Sequence, residues 1–210
     1  EELGRNILKV GLKQGVCVTD VGSVKVSPHQ TLGRLMNSEG ISFIGSHPMA
    51  GSEKTGFGAA DANLFVGASC ILTNEHQQPE RLVTQLEIFW KSLGATTAIM
   101  TAQEHDRLVG RISHLPHVLS TVCAITALEQ IEDGRFSGQG LRDTSRVAAG
   151  DPSMWAEILL QNRSQIIDPL QSAASALSKM AEDLTKQDRV EVLRALKEGK
   201  KRRETLDREE

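Results

Sequence analysis

Tyrosine is absent, and aromatic residues make up only 3% of the 210 residues. So thin an aromatic supply offers no platform on which bases could stack. A net charge of −3 gives no basic face for nucleic acid or an anionic membrane. Cysteine is scarce and odd in number: Cys17, Cys70 and Cys123 lie far apart among apolar neighbours. That argues against a disulfide framework and fits buried thiols in a reducing, cytoplasmic setting. No apolar run is expected to reach the roughly 18 residues of a membrane span. Glu1-Glu2-Leu3-Gly4-Arg5 has none of the character of a secretory leader. The sequence also has no G-x-G-x-x-G. Gly56-x-Gly58 and Gly138-x-Gly140 lack the third glycine, and neither stands between a strand and a helix. An initiating methionine is missing and strands are few, so the N-terminal part of a nucleotide-binding domain is expected to lie outside this chain.

What is present is a core-forming supply of apolar residues, 39% of the chain, in two styles. Residues 1–100 alternate. A helix is expected over Glu2 to Gln14, then a strand Val16–Val21. Ser27 followed by Pro28 reads as an N-cap and first helical position. Strands follow at Ile41–Ile44, Ala68–Thr73 and Thr96–Met100, with a helix from Pro79 to Leu93 stopped by Gly94. This rhythm predicts an α/β domain with a mostly parallel sheet. Residues 101–210 read as all-helical. Thr101-x-x-Glu104 is a capping box opening a long helix, and Pro116 is expected to kink it. Asp151-Pro152 starts another helix, which continues to Leu184 with a bend expected at Pro169. A last helix runs from Asp188 to about Arg203. The broad apolar helical faces point to a second subunit.

Four segments carry chemistry. Asp20-Val21-Gly22-Ser23-Val24-Lys25 follows a strand, where a tight turn can present Ser23 to a ligand; an ordinary turn would look the same. Gly45-Ser46-His47-Pro48-Met49-Ala50-Gly51-Ser52-Glu53-Lys54 reads as a glycine-punctuated loop at a strand's C-terminal end, the edge where open sheets bind ligands. His47 is neutral near pH 7 and can take a proton from a hydroxyl. Ser113-His114-Leu115-Pro116-His117 places two imidazoles three residues apart on one helical face. A metal pair with His105 or Asp106 would lack both an H-E-x-x-H pattern and a carboxylate set, so no metal is expected. Arg142 and Arg146 offer planar forks for carboxylates ahead of Asp151-Pro152-Ser153-Met154-Trp155. Each residue alone also reads as an ordinary surface or packing group.

Taken together, Asp20–Lys25, Gly45–Glu53, Ser113–His117 and Thr144-Ser145-Arg146 through Trp155 closely resemble the prephenate/arogenate dehydrogenase family of tyrosine biosynthesis, in the family's order and over essentially the whole chain. The resemblance implies a partial Rossmann-like nucleotide-binding domain (1–100) followed by an all-helical substrate and dimerisation domain (101–210). It implies NAD or NADP as cofactor, a homodimer joined through the helices, and oxidative decarboxylation of prephenate to 4-hydroxyphenylpyruvate, or of arogenate to tyrosine. His47 would draw the proton from the substrate C4 hydroxyl, and Ser23 would orient His47 and the nicotinamide. Arg146, Arg142, His117, Ser113, Ser52, Glu53 and Trp155 would bind substrate, Trp155 approaching the site from its own or the neighbouring subunit. Asp20, Gly22 and Ser23 would contact cofactor. The absent glycine-rich loop leaves a non-catalytic dimerisation or regulatory module as the alternative. A dehydrogenase of the β-hydroxyacid type would need a lysine in the helix between Glu104 and Leu128, which has none.

Overall fold

The computed structural model describes residues 2–13, 15–51, 56, 58 and 60–207. They form two compact units, Glu1–Ile166 and Ile167–Glu210. In the first, β1 (Cys17–Val18) pairs in parallel with β2 (Ser42–Phe43). After Ile44 alone the chain re-enters a sheet as β3 (Gly45–Pro48), antiparallel to β4 (Ser69–Thr73), which pairs in parallel with β5 (Thr96–Met100). Among the described residues two of the three pairings are thus parallel, and His47 stands opposite Ile71 inside a strand. The loop expected at His47 is therefore a strand up to Pro48. His47 looks loop-like in sequence because it is polar, yet within the strand it faces a buried polar seam.

Side chains alternate across β3 and its lead-in. Ile44 and Ser46 face the helix α3 (Glu80–Ser92), where Leu82, Val83 and Trp90 are buried. The Trp90 indole N–H donates to Ser46 Oγ at 3.1 Å, and Ser46 Oγ meets Thr19 Oγ1 at 2.8 Å, so the buried indole is satisfied. Cys70, Leu72 and Ala95 complete this apolar face. Gly45 and His47 face the other way.

Helices depart from expectation where tertiary groups intervene. α1 spans only Glu2–Lys9; Gly11, at φ 78, takes the left-handed conformation that ends it early. The strand expected over Val16–Val21 shrinks to β1, because residues 20–25 turn back on themselves: Asp20 Oδ2 accepts from Gly22 N at 3.0 Å and pairs with Lys25 Nζ. α2 (residues 26–38), with a π-helical turn at His29–Gly33, begins one residue before the expected Ser27 cap, and Ser27 caps nothing. The orphan N–H groups of its first turn are taken by a carboxylate far along the chain: Asp106 accepts from Lys25 N at 2.7 Å and Val26 N at 2.9 Å.

The capping box at Thr101–Glu104 is present and opens α4 (Ala102–Val109). A π-helical turn, Gly110–His114, then leads into α5 (Leu115–Ala127), where Leu115 N bonds Gly110 O. The wider turn answers Pro116, which has no N–H and whose ring would press on the carbonyl of Ile112 in an unbroken α-helix. Ala102–Ala127 is long and apolar enough to cross a membrane by length and composition, contrary to the expectation that no run reaches that length. Its buried residues are nevertheless polar in good part, among them His105, Asp106, His114, His117 and Ser120. After α6 (Gln139–Ser145), Asp151 caps α7 (Pro152–Gln161) by accepting from Met154 N at 2.7 Å. α8 (Arg163–Thr185) carries Pro169 without breaking. The break falls at Asn162, whose buried amide donates to Asp106 O at 2.8 Å and so leaves the helical path. The second unit continues α8 and adds α9 (Arg189–Arg203), capped by Asp188 through Val190 N and Glu191 N.

Candidate active site

Beneath the far face of β3 runs a buried polar seam. Gly45 leaves room for it: a Cβ there would sit 2.5 Å from Thr73 Oγ1, 2.9 Å from Lys25 Cδ and 3.2 Å from His29 Nε2. The Lys25 side chain is fully buried and ion-paired to Asp20; burial pulls its pKa below the usual lysine value, with Asp20 pulling the other way. His29 bonds Thr73 Oγ1 at 2.8 Å, and burial lowers its pKa.

His47 is 8% exposed. Its Nδ1 lies 2.8 Å from Nε2 of His105, whose Nδ1 lies 2.7 Å from Asp106 Oδ1. Burial above all, and then the neighbouring His105, push the His47 pKa down to about 3. The ring is neutral at pH 7 and can accept a hydrogen bond. His114, on the π-helical turn, accepts from the Asn162 amide at 3.0 Å, and burial takes its pKa to about 4.

His47 opens onto a cleft of about 540 Å³ lined by residues that include Ser23, Ser113, Arg146, Met154 and Trp155. Four sequence-distant segments meet there: the turn after β1, the end of β3, the π-helical turn, and the α6–α7 region. Trp155 reaches this cleft from the same chain that supplies His47. His117 stacks on its ring at 3.6 Å between centroids, 9° from parallel, and His114 meets it edge-on at 6.1 Å. Gly150 permits this: a Cβ there would lie 2.6 Å from Trp155 Nε1.

Five of the expected site residues therefore share one cleft: His47, Ser23, Ser113, Arg146 and Trp155. His117 backs it through the Trp155 stack. Asp20 and Gly22 form the preceding turn, outside the lining, and Arg142 is exposed on α6. Ser52 and Glu53 lie outside the described residues. Sequence reasoning named His105 and Asp106 only as possible metal companions. Among the described residues no cluster of three or more His, Cys, Asp or Glu is arranged to hold a metal; the two join His47 instead. The signal that could have found them is the Glu-His-Asp run in the first turns of a capped helix. A second cavity, of about 550 Å³, has Asp106, His29, Glu75 and Arg34 among its lining residues.

Two family models match the chain: prephenate dehydrogenase, nucleotide-binding domain, over residues 5–99, and prephenate dehydrogenase, dimerization domain, over residues 101–198. A prephenate dehydrogenase from Lactococcus lactis subsp. cremoris is 33% identical over 98% of the chain, which spans 57% of that protein's length. A cyclohexadienyl dehydrogenase from Zymomonas mobilis is 32% identical over 93% of the chain, which spans 68% of it. The solved structure of prephenate dehydrogenase from A. aeolicus, in complex with hydroxyphenyl propionate and NAD+, superimposes with a TM-score of 0.85. It is 29% identical, and the match covers 98% of this chain and 72% of that one.

Proposed function

The chain belongs to the prephenate dehydrogenase family, and from that premise we propose that it carries out the NAD(P)-dependent oxidative decarboxylation of prephenate to 4-hydroxyphenylpyruvate. Its fold is a Rossmann-like nucleotide-binding domain followed by a helical dimerisation domain. We assign residues 1–100 to the first and 101–210 to the second. The observation that carries the reading is a neutral imidazole, His47, and a guanidinium, Arg146, on one 540 Å³ cleft.

The residues fit the reactive end of a nicotinamide dinucleotide. The Asp20–Ser23 turn follows β1 at the C-terminal edge of a parallel strand pair, where such sheets take ligands. Asp20 Oδ1 there is buried with no hydrogen bond among the described residues, and Ser23 lines the cleft beside His47. Ser23, with Asp20 and Gly22 shaping its turn, would hold that end. NAD(P), when bound, supplies the hydride acceptor.

This chain's own groups do the rest. His47 accepts the C4 hydroxyl of the substrate and takes its proton as the C4 hydrogen leaves with its electron pair. The ring carboxylate departs as CO2, its bonding pair makes the ring aromatic, and the C4 oxygen takes its proton back from His47 as the phenol forms. Arg146 pairs with a substrate carboxylate through its planar fork. Ser113 hydrogen-bonds substrate, and the Trp155–His117 stack forms a flat wall for a six-membered ring. Arg142, Ser52 and Glu53 belong to the proposed approach to the cleft. Aromatisation drives the step, so the protein's task is to position and polarise. The family's dimerisation domain supports a homodimer joined through the helices. Exposed Leu177, Leu184, Leu193 and Leu196 are candidate contacts, and the enzyme is proposed to be cytoplasmic.

The test is direct. The protein is mixed with prephenate or arogenate and with NAD or NADP, and the absorbance of reduced cofactor is followed. Turnover of prephenate is expected. Turnover of arogenate alone would move the substrate assignment, and silence in all four mixtures would overturn the enzymatic reading in favour of a non-catalytic module.

A further inference from the structure

His105 is fully buried and Asp106 is 2% exposed, and neither lines the cleft that holds His47. The hydrogen bonds around them leave little freedom. Among the described residues Asp106 receives three: Lys25 N and His105 Nδ1 on Oδ1, at 2.7 Å each, and Val26 N on Oδ2 at 2.9 Å. A carboxylate only accepts, so His105 must carry its proton on Nδ1. With that single ring proton His105 presents a lone pair at Nε2, and among the described residues the group that meets it is Nδ1 of His47, 2.8 Å away, which must therefore donate. The remaining nitrogen of His47, Nε2, is left without a proton. The two backbone N–H groups also pin the carboxylate to the first turn of α2, so the chain of bonds is anchored at its inner end.

We propose that His105 and Asp106 are positioning residues: Asp106 fixes the tautomer of His105, His105 fixes that of His47, and Nε2 of His47 is thereby held as the proton acceptor of the cleft. The inference rests on the role given to His47 above. When His47 takes the hydroxyl proton at Nε2 it becomes an imidazolium that still donates from Nδ1 to His105. Its new positive charge faces the Asp106 carboxylate through one imidazole. No proton needs to travel beyond His47. The opposite arrangement, a cationic His105 donating from Nε2 to His47, would put the His47 proton on Nε2, and His47 could then take no proton from a hydroxyl on the cleft.

Two measurements test this separately from the reaction itself. In the protein labelled with 15N-histidine, long-range proton–nitrogen correlations report which ring nitrogen carries hydrogen. The His47 signals are identified by their loss in His47→Asn. A neutral ring protonated on Nδ1 is expected, and a ring protonated on Nε2 overturns the inference whatever the substrate. The second compares His105→Gln with His105→Leu. Glutamine can accept from His47 through its carbonyl and donate to Asp106 through its amide; leucine can do neither. Loss of an oriented base predicts a kcat lower by about 100-fold in His105→Leu, recovered to within about tenfold in His105→Gln, with KM for prephenate little changed in both. Equal kcat in the two variants would overturn the inference. If the wild-type protein turns over no substrate, the functional reading fails, while the tautomer measurement still decides the positioning role.

Discussion

From β3 outward, Ile44 and Ser46 meet α3 through Leu82, Val83 and Trp90, while Gly45 and His47 meet Lys25, His29 and His105, with Asp106 behind His105. Neighbouring residues of one strand thus open onto a dry apolar layer and onto a seam of buried ionisable groups. The first layer holds the sheet to its helix by burial, which is tolerant of which apolar residue does the work. The second is held by specific hydrogen bonds, each of which is costly to break because it leaves a buried polar group unpaired. It follows that damage on the His47 face should appear in the chemistry, and damage on the Trp90 face in stability with the chemistry unchanged.

The largest effect expected from either face is catalytic. His47→Asn keeps a polar group of similar size but removes the titratable acceptor. It should lower kcat by roughly 10²–10⁴-fold while the unfolding free energy moves by no more than about 1 kcal/mol. Unchanged turnover would erase the functional contrast between the faces. On the other face, Trp90→Ala should cost about 3–5 kcal/mol of stability. It removes an indole that is 3% exposed and packed edge-on to Phe65 and Phe89 at 5.3 Å each. Urea unfolding measures this, and any folded fraction should retain its KM.

Opposite pH limbs separate the faces next. Native His47 and His114 titrate at about 3 and about 4, whereas unfolded histidines bind protons below about 6.5. In that window the unfolded state holds more protons, so stability falls as pH drops from about 6.5 toward 4, by up to about 1.4 kcal/mol per pH unit for each group. On the apolar face burial raises Cys70 from 9.0 to about 11. The unfolded thiol loses its proton first as pH rises, so this contribution to stability falls between those values. Chemical unfolding across pH should give a dome whose acid side flattens in His47→Asn and whose alkaline side flattens in Cys70→Ala.

Much of this plan can be read from the chain, and the portion that cannot has a common cause. Thr101 with Glu104, Asp151 with Pro152, and Asp188 are local caps, recognisable because donor and acceptor lie within three residues. The strands at 69–73 and 96–100 and the helix at 80–92 follow from local apolar pattern and a stopping glycine. What escapes is non-local. Asp106 caps a helix that begins 80 residues earlier, displacing Ser27 from the role its position suggests. Asn162 ends α7 because its amide is claimed by Asp106 and His114, so the break falls there and not at Pro169. His47 is flanked by residues that spell a loop, and only pairing with β4 makes it a strand. Of the site, the cleft-facing groups were visible as motifs. The groups behind them were visible only as residue types without a purpose.

Two small substitutions at adjacent positions sharpen the contrast most finely. Gly45→Ala places a methyl against Thr73, Lys25 and His29. None of the three can give way without loosening a buried bond, so the expected cost is about 1–3 kcal/mol, with kcat falling as His47 shifts. Ser46→Ala, one residue on, removes the acceptor of the Trp90 N–H at 3.1 Å and the partner of Thr19 at 2.8 Å. Its backbone stays in place and no cavity of consequence opens, so the cost reduces to an unmet indole donor, about 1–2 kcal/mol. Because Ser46 points away from the cleft, kcat and the pH profile should match the wild type. Equilibrium unfolding in urea should show a lower midpoint with an unchanged slope. A changed pH profile in Ser46→Ala would mean that the strand transmits strain from one face to the other, and that the two layers are not independent.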